Sequence, residues 1–285
     1  MGNYIEEIVE LLLVSYNLDI RGFDNAFVEK SIDRRLSADK DITPNNYLAL
    51  LRNDREEVTH LIDSLHVSYS EFFRNPLTFA YLEQFVLPLF KYRIRKETKT
   101  ELRIWSAACA SGQEAYSVAI LLDEMNQESS GKFNFRIFAS DNNAEELERA
   151  RQGIFNPASL QKISLKRIQK YFVQKDENYS ISSSIKKLVD FSWFDLLDEQ
   201  PASPVPSIYG NFDLVICSNL LFYYAPASRK RILEKIKKNM APGAFLVTGE
   251  TERDILMKNG FSEIYENSAI FQEIYSNKQL SIKEI

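Results

Sequence analysis

Cysteine, histidine and glycine are all scarce in this chain, with two, two and nine residues among 285. Two cysteines indicate no disulfide framework. Cys109 and Cys217 each follow an apolar run and read as small reduced fillers. Two cysteines with two histidines also argue against a zinc centre, and no metal is expected. The glycine fingerprint of dinucleotide-binding turns is absent. No apolar run nears the roughly 18 residues that a membrane helix needs. The segment from Met1 to Glu7 has no basic region, and Glu6 stands where a myristoylation signal wants Ser or Thr. A cytoplasmic location without direct membrane insertion is therefore expected. Basic residues are not in excess either. The net charge is −5, and the first ninety residues carry eight Lys and Arg against fifteen Asp and Glu. So acidic a first third argues against a nucleic-acid partner, because neutralising phosphates needs a basic footprint.

What remains is an ordinary globular balance, 45% hydrophobic and 26% charged, in a length that suits one large domain or two modest ones. The first 66 residues read as a small helical domain. Ile5, Ile8, Val9, Leu12 and Leu13 form one face of a helix over Asn3–Tyr16. Asp24 can cap a second helix that runs to Leu36, Thr43-Pro44 opens a third, and Asp54 opens a fourth. Residues 67–90 form a connecting segment and a helix started by Pro76, with Phe72 and Phe73 as an anchor between domains. Lys91–Lys99 reads as a basic solvated stretch.

From there to residue 285 apolar runs alternate with helical patterns, which implies a mostly parallel sheet with helices on both faces. Strands are expected at Ile104–Ala107, Phe135–Ala139, Phe212–Cys217 and Ala244–Thr248. Helices are expected at Glu114–Met125, at Ala144–Gln152 with a Gly153 stop, and at Ser228–Met240. A small β-insert of short antiparallel strands is expected near 173–193, and the last two strands finish antiparallel.

Arg103–Ala119 organises this region. A short buried strand runs into the small residues Ala107, Ala108, Ala110, Ser111 and Gly112, and a helix follows. Such a turn lets backbone N–H groups approach a ligand, although many are small for packing alone. Polar residues stand at the expected carboxyl ends of the strands, where open α/β sheets bind ligands. They are Glu114, Asp141, Asp195 and Asn219. Asp141 can accept ribose hydroxyls or cap the next helix. Asp195 can accept an exocyclic amine or be a loop carboxylate. Asn219 can hold an amino-acid moiety or shape a turn.

Four blocks in order carry a resemblance. Ser70-Glu71-Phe72-Phe73-Arg74 is similar to T-x-F-F-R, and Trp105 through Ser117 to W-S-A-G-C-S-T-G-E-E-P-Y-S. Ala139-Ser140-Asp141 with Ala150 and Gly153-Ile154-Phe155 matches a second-strand block, and Phe212 through Asn219 with Tyr223 matches F-D-x-I-x-C-R-N with its tyrosine. In these blocks the chain resembles the chemotaxis receptor methyltransferases of the CheR type. The resemblance implies a Rossmann-like class I S-adenosylmethionine-dependent methyltransferase sheet with an antiparallel last strand, preceded by a small all-α domain.

It further implies transfer of methyl from S-adenosylmethionine to glutamates in the acidic helical cytoplasmic region of receptors, by a monomer. S-adenosylhomocysteine would be the product. Implied cofactor contacts come from Ser68, Ser70, Arg74, Glu114, Asp141, Asp195, Leu196, Ser218 and Asn219, with Arg74 and Tyr223 beside the chemistry. Lys30, Arg34 and Arg35, near one face of a helix, are the implied receptor-docking residues. The chain departs from the pattern at Ser68 and Ser70, at Gln113 and Asp195, and at Ser218, which replaces the Arg of C-R-N. Residues 173–185 are short and lack the glycine of the insert that grips a receptor tail, so tethering is not expected. Two other readings stay open, a cofactor-sensing regulatory module without transfer and a dinucleotide-dependent oxidoreductase.

Overall fold

A computed structural model describes residues 2–38, 43–96, 101–128, 133–207 and 209–274. Two compact units divide the chain. One comprises Met1–Ser68 with Leu221–Arg231, the other Tyr69–Leu220 with Ile232–Ile285.

The first unit is helical: α1 Gly2–Tyr16, α2 Asn25–Ala38, α3 Pro44–Asn53 and α4 Arg55–Leu65. The expected start signals operate. Asp24 accepts the Ala26 N–H, Thr43 and Asn46 form a capping box, and Asp54 accepts the N–H groups of Glu56 and Glu57. The apolar faces meet in a core that includes Ile8, Leu12, Val28, Tyr47, Leu51 and Leu61. Leu221–Arg231 joins this unit through rings and charge. Tyr223 lies 4.7 Å from Phe27, Tyr224 stacks on Phe23 at 5.2 Å, and Arg229 pairs with Asp24 at 3.0 Å.

The second unit begins with α5 Pro76–Tyr81, a π-helical turn Leu82–Val86 and α6 Leu87–Lys96. The helix expected to end near Phe90 therefore runs on through the basic stretch to Lys96, with residues 97–99 outside the described ones. Then follow β1 Glu101–Ala107, α7 Gln113–Glu128, β2 Asn134–Asp141, α8 Ala144–Gln152 and β3 Ile154–Phe155. Next come α9 Leu165–Tyr171, β4 Phe172–Lys175, β5 Asn178–Ile181, α10 Ser183–Lys186 and β6 Val189–Trp193. β7 Phe212–Ile216, α11 Pro226–Asn239, β8 Met240–Val247, α12 Arg253–Lys258, β9 Phe261–Glu263 and β10 Ile270–Glu273 follow.

The main sheet has the order β6-β2-β1-β7-β8-β10-β9, with β6, β2, β1, β7 and β8 parallel and β10 antiparallel to both its neighbours. The chain leaves β1 in one direction for β2 and β6 and returns on the other side at β7. The reversal opens a crevice at the carboxyl ends of β1 and β7.

Some elements differ from expectation. Val189–Trp193 is a parallel edge strand of the main sheet, in register from Ile137↔Val189 to Asp141↔Trp193. Only β3, β5 and β4 form the antiparallel insert. The hairpin closes at Asp176, whose φ is +53°, and α10 then reverses the chain before β6. β8 starts at Met240, so Pro242-Gly243 lies inside a bulged strand instead of before it. Helix α12 was not expected. Phe72 and Phe73 are buried in the core of the second unit, Phe72 edge-on to Phe155 and Phe172, and Phe73 edge-on to Phe79.

Candidate functional site

Six of the expected residues come together at the carboxyl ends of the parallel strands of the second unit. Glu114 lies in the first turn of α7, directly after the β1 loop. Asp141 ends β2, Asp195 and Leu196 follow β6, and Ser218 and Asn219 follow β7.

The β1–α7 loop is held in an unusual backbone path. Ala108 and Ala110 have φ of +55° and +45°, conformations that cost a non-glycine residue on the order of 1 kcal/mol each. Asp141 supplies the restraint. Its Oδ2 accepts the Ala110 N–H at 2.8 Å and its Oδ1 the Asn143 N–H at 2.9 Å. The Cys109 N–H, in turn, donates to the Ser140 carbonyl. Gly112 has φ +86°, and a Cβ there would lie 3.0 Å from both Ala150 and Phe191, so the loop seats closely on α8 and β6. Capping of α8 belongs to Asn143, which accepts the N–H groups of Glu145 and Glu146. Asp141 is therefore not the cap, and one of its two sequence readings is removed.

Glu114 and Ser218 meet across the switch point, where Ser218 Oγ donates to Glu114 Oε1 at 2.9 Å. Loss of hydration raises the Glu114 carboxyl from 4.5 to about 7, and the nearby Glu252 adds to that. The Ser218 hydrogen bond and the Arg74 charge pull the other way. Arg74 itself is stacked over the Tyr69 ring at 4.9 Å and donates to the Tyr69 carbonyl at 3.3 Å. Its loop is tied down by Lys162, which reaches both Glu71 and the Arg74 carbonyl. The Phe73 N–H donates to Ser117 Oγ in α7. Ser70 is half-buried in the same segment. Asp195 Oδ1 accepts the Leu197 N–H at 2.7 Å, and Leu196 is buried.

Ser68 and Tyr223 belong to the helical unit, as do the docking residues. Lys30 and Arg34 are exposed on α2. Arg35 instead forms a two-pronged pair with Glu57, at 3.0 and 2.6 Å, and Tyr47 donates to the same carboxylate. Its guanidinium is engaged in holding α2 to α4.

One residue of the site was missed in the sequence. Glu252 is fully buried, and its Oε2 accepts the Asn219 N–H at 2.7 Å and the Gly249 N–H at 3.0 Å. Its only local signal is a carboxylate three residues after the glycine that follows β8, which is too short a motif to stand alone.

The donor set suits a cationic ligand rich in hydroxyl and amine donors. Glu114, Asp141 and Asp195 with the Asn219 amide stand at the strand ends, next to a loop of small residues. Residues 68–269 match the family model described as CheR methyltransferase, SAM binding domain. The chain belongs to the CheR methyltransferase family. Its cofactor is S-adenosylmethionine, which carries an ammonium, a sulfonium, two ribose hydroxyls and an exocyclic amine, in keeping with those acceptors.

Chemotaxis protein methyltransferase Cher2 of Pseudomonas putida is 32% identical over 216 residues, 74% of this chain and 73% of that protein. A chemotaxis protein methyltransferase of Listeria monocytogenes is 28% identical over 83% of this chain and 84% of its own length. An uncharacterized 104.1 kDa protein of Rhodobacter capsulatus is 28% identical over 94% of this chain, which spans only 27% of that protein. Among the described residues, no helix is long and apolar enough to cross a membrane.

Proposed function

We propose that this CheR-family methyltransferase esterifies glutamate side chains in the acidic, helical cytoplasmic region of chemotaxis receptors, acting as a cytoplasmic monomer. The observation that carries the reading is the family match over residues 68–269, which spans the loop carboxylates and Arg74. When bound, S-adenosylmethionine supplies a methyl group made electrophilic by its sulfonium. The remaining work falls to this chain's side chains. Asp141 accepts ribose hydroxyls, Asp195 and Leu196 hold the base, and Glu114 with Ser218 and Asn219 holds the amino-acid end, with Ser68 and Ser70 as further contacts. An acceptor carboxylate with an ordinary pKa of about 4.3 is already ionised at neutral pH and needs no general base. The scarcity of histidine is therefore no obstacle.

Arg74 offers the forked donors that orient such a carboxylate, and the ring of Tyr223 favours a cation beside it. Alignment of the reacting groups then provides a large part of the barrier reduction. Lys30 and Arg34 remain the docking residues. Arg35 contributes by keeping α2 in place.

The test is transfer of labelled methyl from S-adenosylmethionine to receptor cytoplasmic fragments. A base-labile product that releases methanol is expected. An alkali-stable product would move the chain to another methyltransferase class. Cofactor binding without any transfer would favour the second reading, a cofactor-sensing module, for which Ser218 in place of the family arginine is the motivating feature.

A further inference from the structure

Glu252 is the one buried carboxylate at the strand ends to which the transfer chemistry assigns no task. It has no exposed surface, it lies 33 positions beyond Asn219, and it reaches back to that residue's backbone. Three donors converge on Oε2. The Asn219 N–H stands at 2.7 Å, the Gly249 N–H at 3.0 Å and the Thr248 hydroxyl at 2.8 Å. Thr248 Oγ1 is also 3.1 Å from the Cys217 carbonyl. Its single proton serves one acceptor at a time, and a carboxylate is the stronger of the two.

Asn219 sits at φ +59°, a left-handed conformation that its own side chain only tolerates. The bond to Glu252 fixes its N–H in that conformation. Space closes the other side. Gly249 has an ordinary φ of −71°, yet a Cβ on it would lie 2.8 Å from Asn219 Oδ1 and 3.0 Å from Glu252 Oε2. Position 249 is thus glycine for room, not for backbone freedom. Glu252 thus holds the Asn219 backbone while Gly249 leaves room for its side-chain amide, and the preceding Ser218 is presented to Glu114.

We propose that Glu252 is a positioning residue for the cofactor site, acting through Asn219 by locking the turn after β7 to the turn after β8. The proposal rests on the assignment of this crevice to S-adenosylmethionine. Its consequence is a coupling. If Glu252 matters to the ligand only because it aims Asn219, its loss has nothing further to remove once the Asn219 side chain is gone.

The experiment titrates the full-length protein with S-adenosylhomocysteine by calorimetry, in the wild type, Glu252→Gln, Asn219→Ala and the double variant, with thermal unfolding of each followed separately. Each single variant should bind about tenfold more weakly. The double variant should bind no more weakly than the worse single, within about twofold. Glu252→Gln will lower the unfolding temperature in either background, so stability alone does not imitate the pattern.

Gly249→Ala keeps the carboxylate and crowds the Asn219 amide. It should also weaken binding about tenfold, and it carries the test should Glu252→Gln not fold. Multiplying effects in the double variant, or unchanged affinity in both Glu252→Gln and Gly249→Ala, overturns the proposal while wild-type binding keeps the cofactor assignment. A wild type that does not bind S-adenosylhomocysteine overturns both.

Discussion

The two halves of the crevice solve one problem in the same way. On the β1/β2 side, Asp141 accepts the Ala110 N–H and holds a loop whose alanines sit at positive φ. On the β7/β8 side, Glu252 accepts the Asn219 N–H and holds a residue that is likewise at positive φ. In both, a buried carboxylate from the neighbouring strand's end pins a strained loop whose backbone cannot satisfy itself, and stability is committed to geometry at the site. The halves differ in what the carboxylate does besides. Asp141 retains a 9% exposure beside a small-residue loop, while Glu252 has none. On the proposed assignments the difference is a division of labour, in which one clamp doubles as a ligand contact and the other only aims a neighbour.

The largest effect should come from Asp141→Ala, which removes the clamp and the proposed ribose acceptor together. S-adenosylhomocysteine affinity should fall at least tenfold, since hydrogen bonds to charged groups are worth about 1.5–3 kcal/mol each. Calorimetry checks it, and an effect no larger than that of Glu252→Gln would break the proposed asymmetry.

Glu114 bridges the two halves and brings a pH dependence with it. Its carboxyl holds a proton more tightly in the folded chain than in the unfolded one, with a value raised from 4.5 to about 7 by burial first of all. Between those values the folded state therefore carries more protons, and the stability of the ligand-free protein declines as pH rises through that window and levels off above it. Chemical denaturation at pH 5, 6, 7 and 8 should show the decline in the wild type and lose it in Glu114→Gln. Cofactor affinity should rise over the same range as the carboxylate ionises to meet an ammonium. A flat profile in the wild type removes the ionisation from the account.

Arg34→Ala and Arg35→Ala separate two neighbours on one helix. The Arg35 change takes the guanidinium from the buried Glu57, leaving it the Tyr47 hydroxyl, and should lower the unfolding temperature, with cofactor affinity retained. The Arg34 change should leave stability alone and weaken receptor methylation in a salt-dependent way, read as a rise in KM. If both act on methylation alone, the docking face includes Arg35 after all.

The smallest effect should be that of Ser218→Ala, which cuts the hydrogen bond from Ser218 to Glu114. A loss of about threefold in cofactor affinity is expected, the worth of one partly exposed bond.

Much of this was legible in the residues because the information was local. The Thr43-Pro44 and Asp54 caps, the Gly153 stop and the small turn after β1 announce their elements within a few positions. Strand-end acids could be listed once the alternation of strands and helices was seen. The illegible parts are those settled by distant partners. Whether Asp141 capped a helix depended on Asn143 being there to do so instead. Arg35 looked like a docking charge until Glu57, 22 positions away, claimed it. Glu252 carried no motif, since its partner Asn219 lies on a different loop and is met through backbone. The place of Val189–Trp193 in the main sheet was hidden for a related reason, because a four-residue helix decides which sheet the strand joins.

Both clamped turns should belong to one ligand site, and amide hydrogen exchange with and without saturating S-adenosylhomocysteine tests that directly. Exchange should slow together at Ala108–Gly112 and at Cys217–Asn219 on binding. Protection of one turn without the other, or protection confined to a different part of the chain, would contradict it.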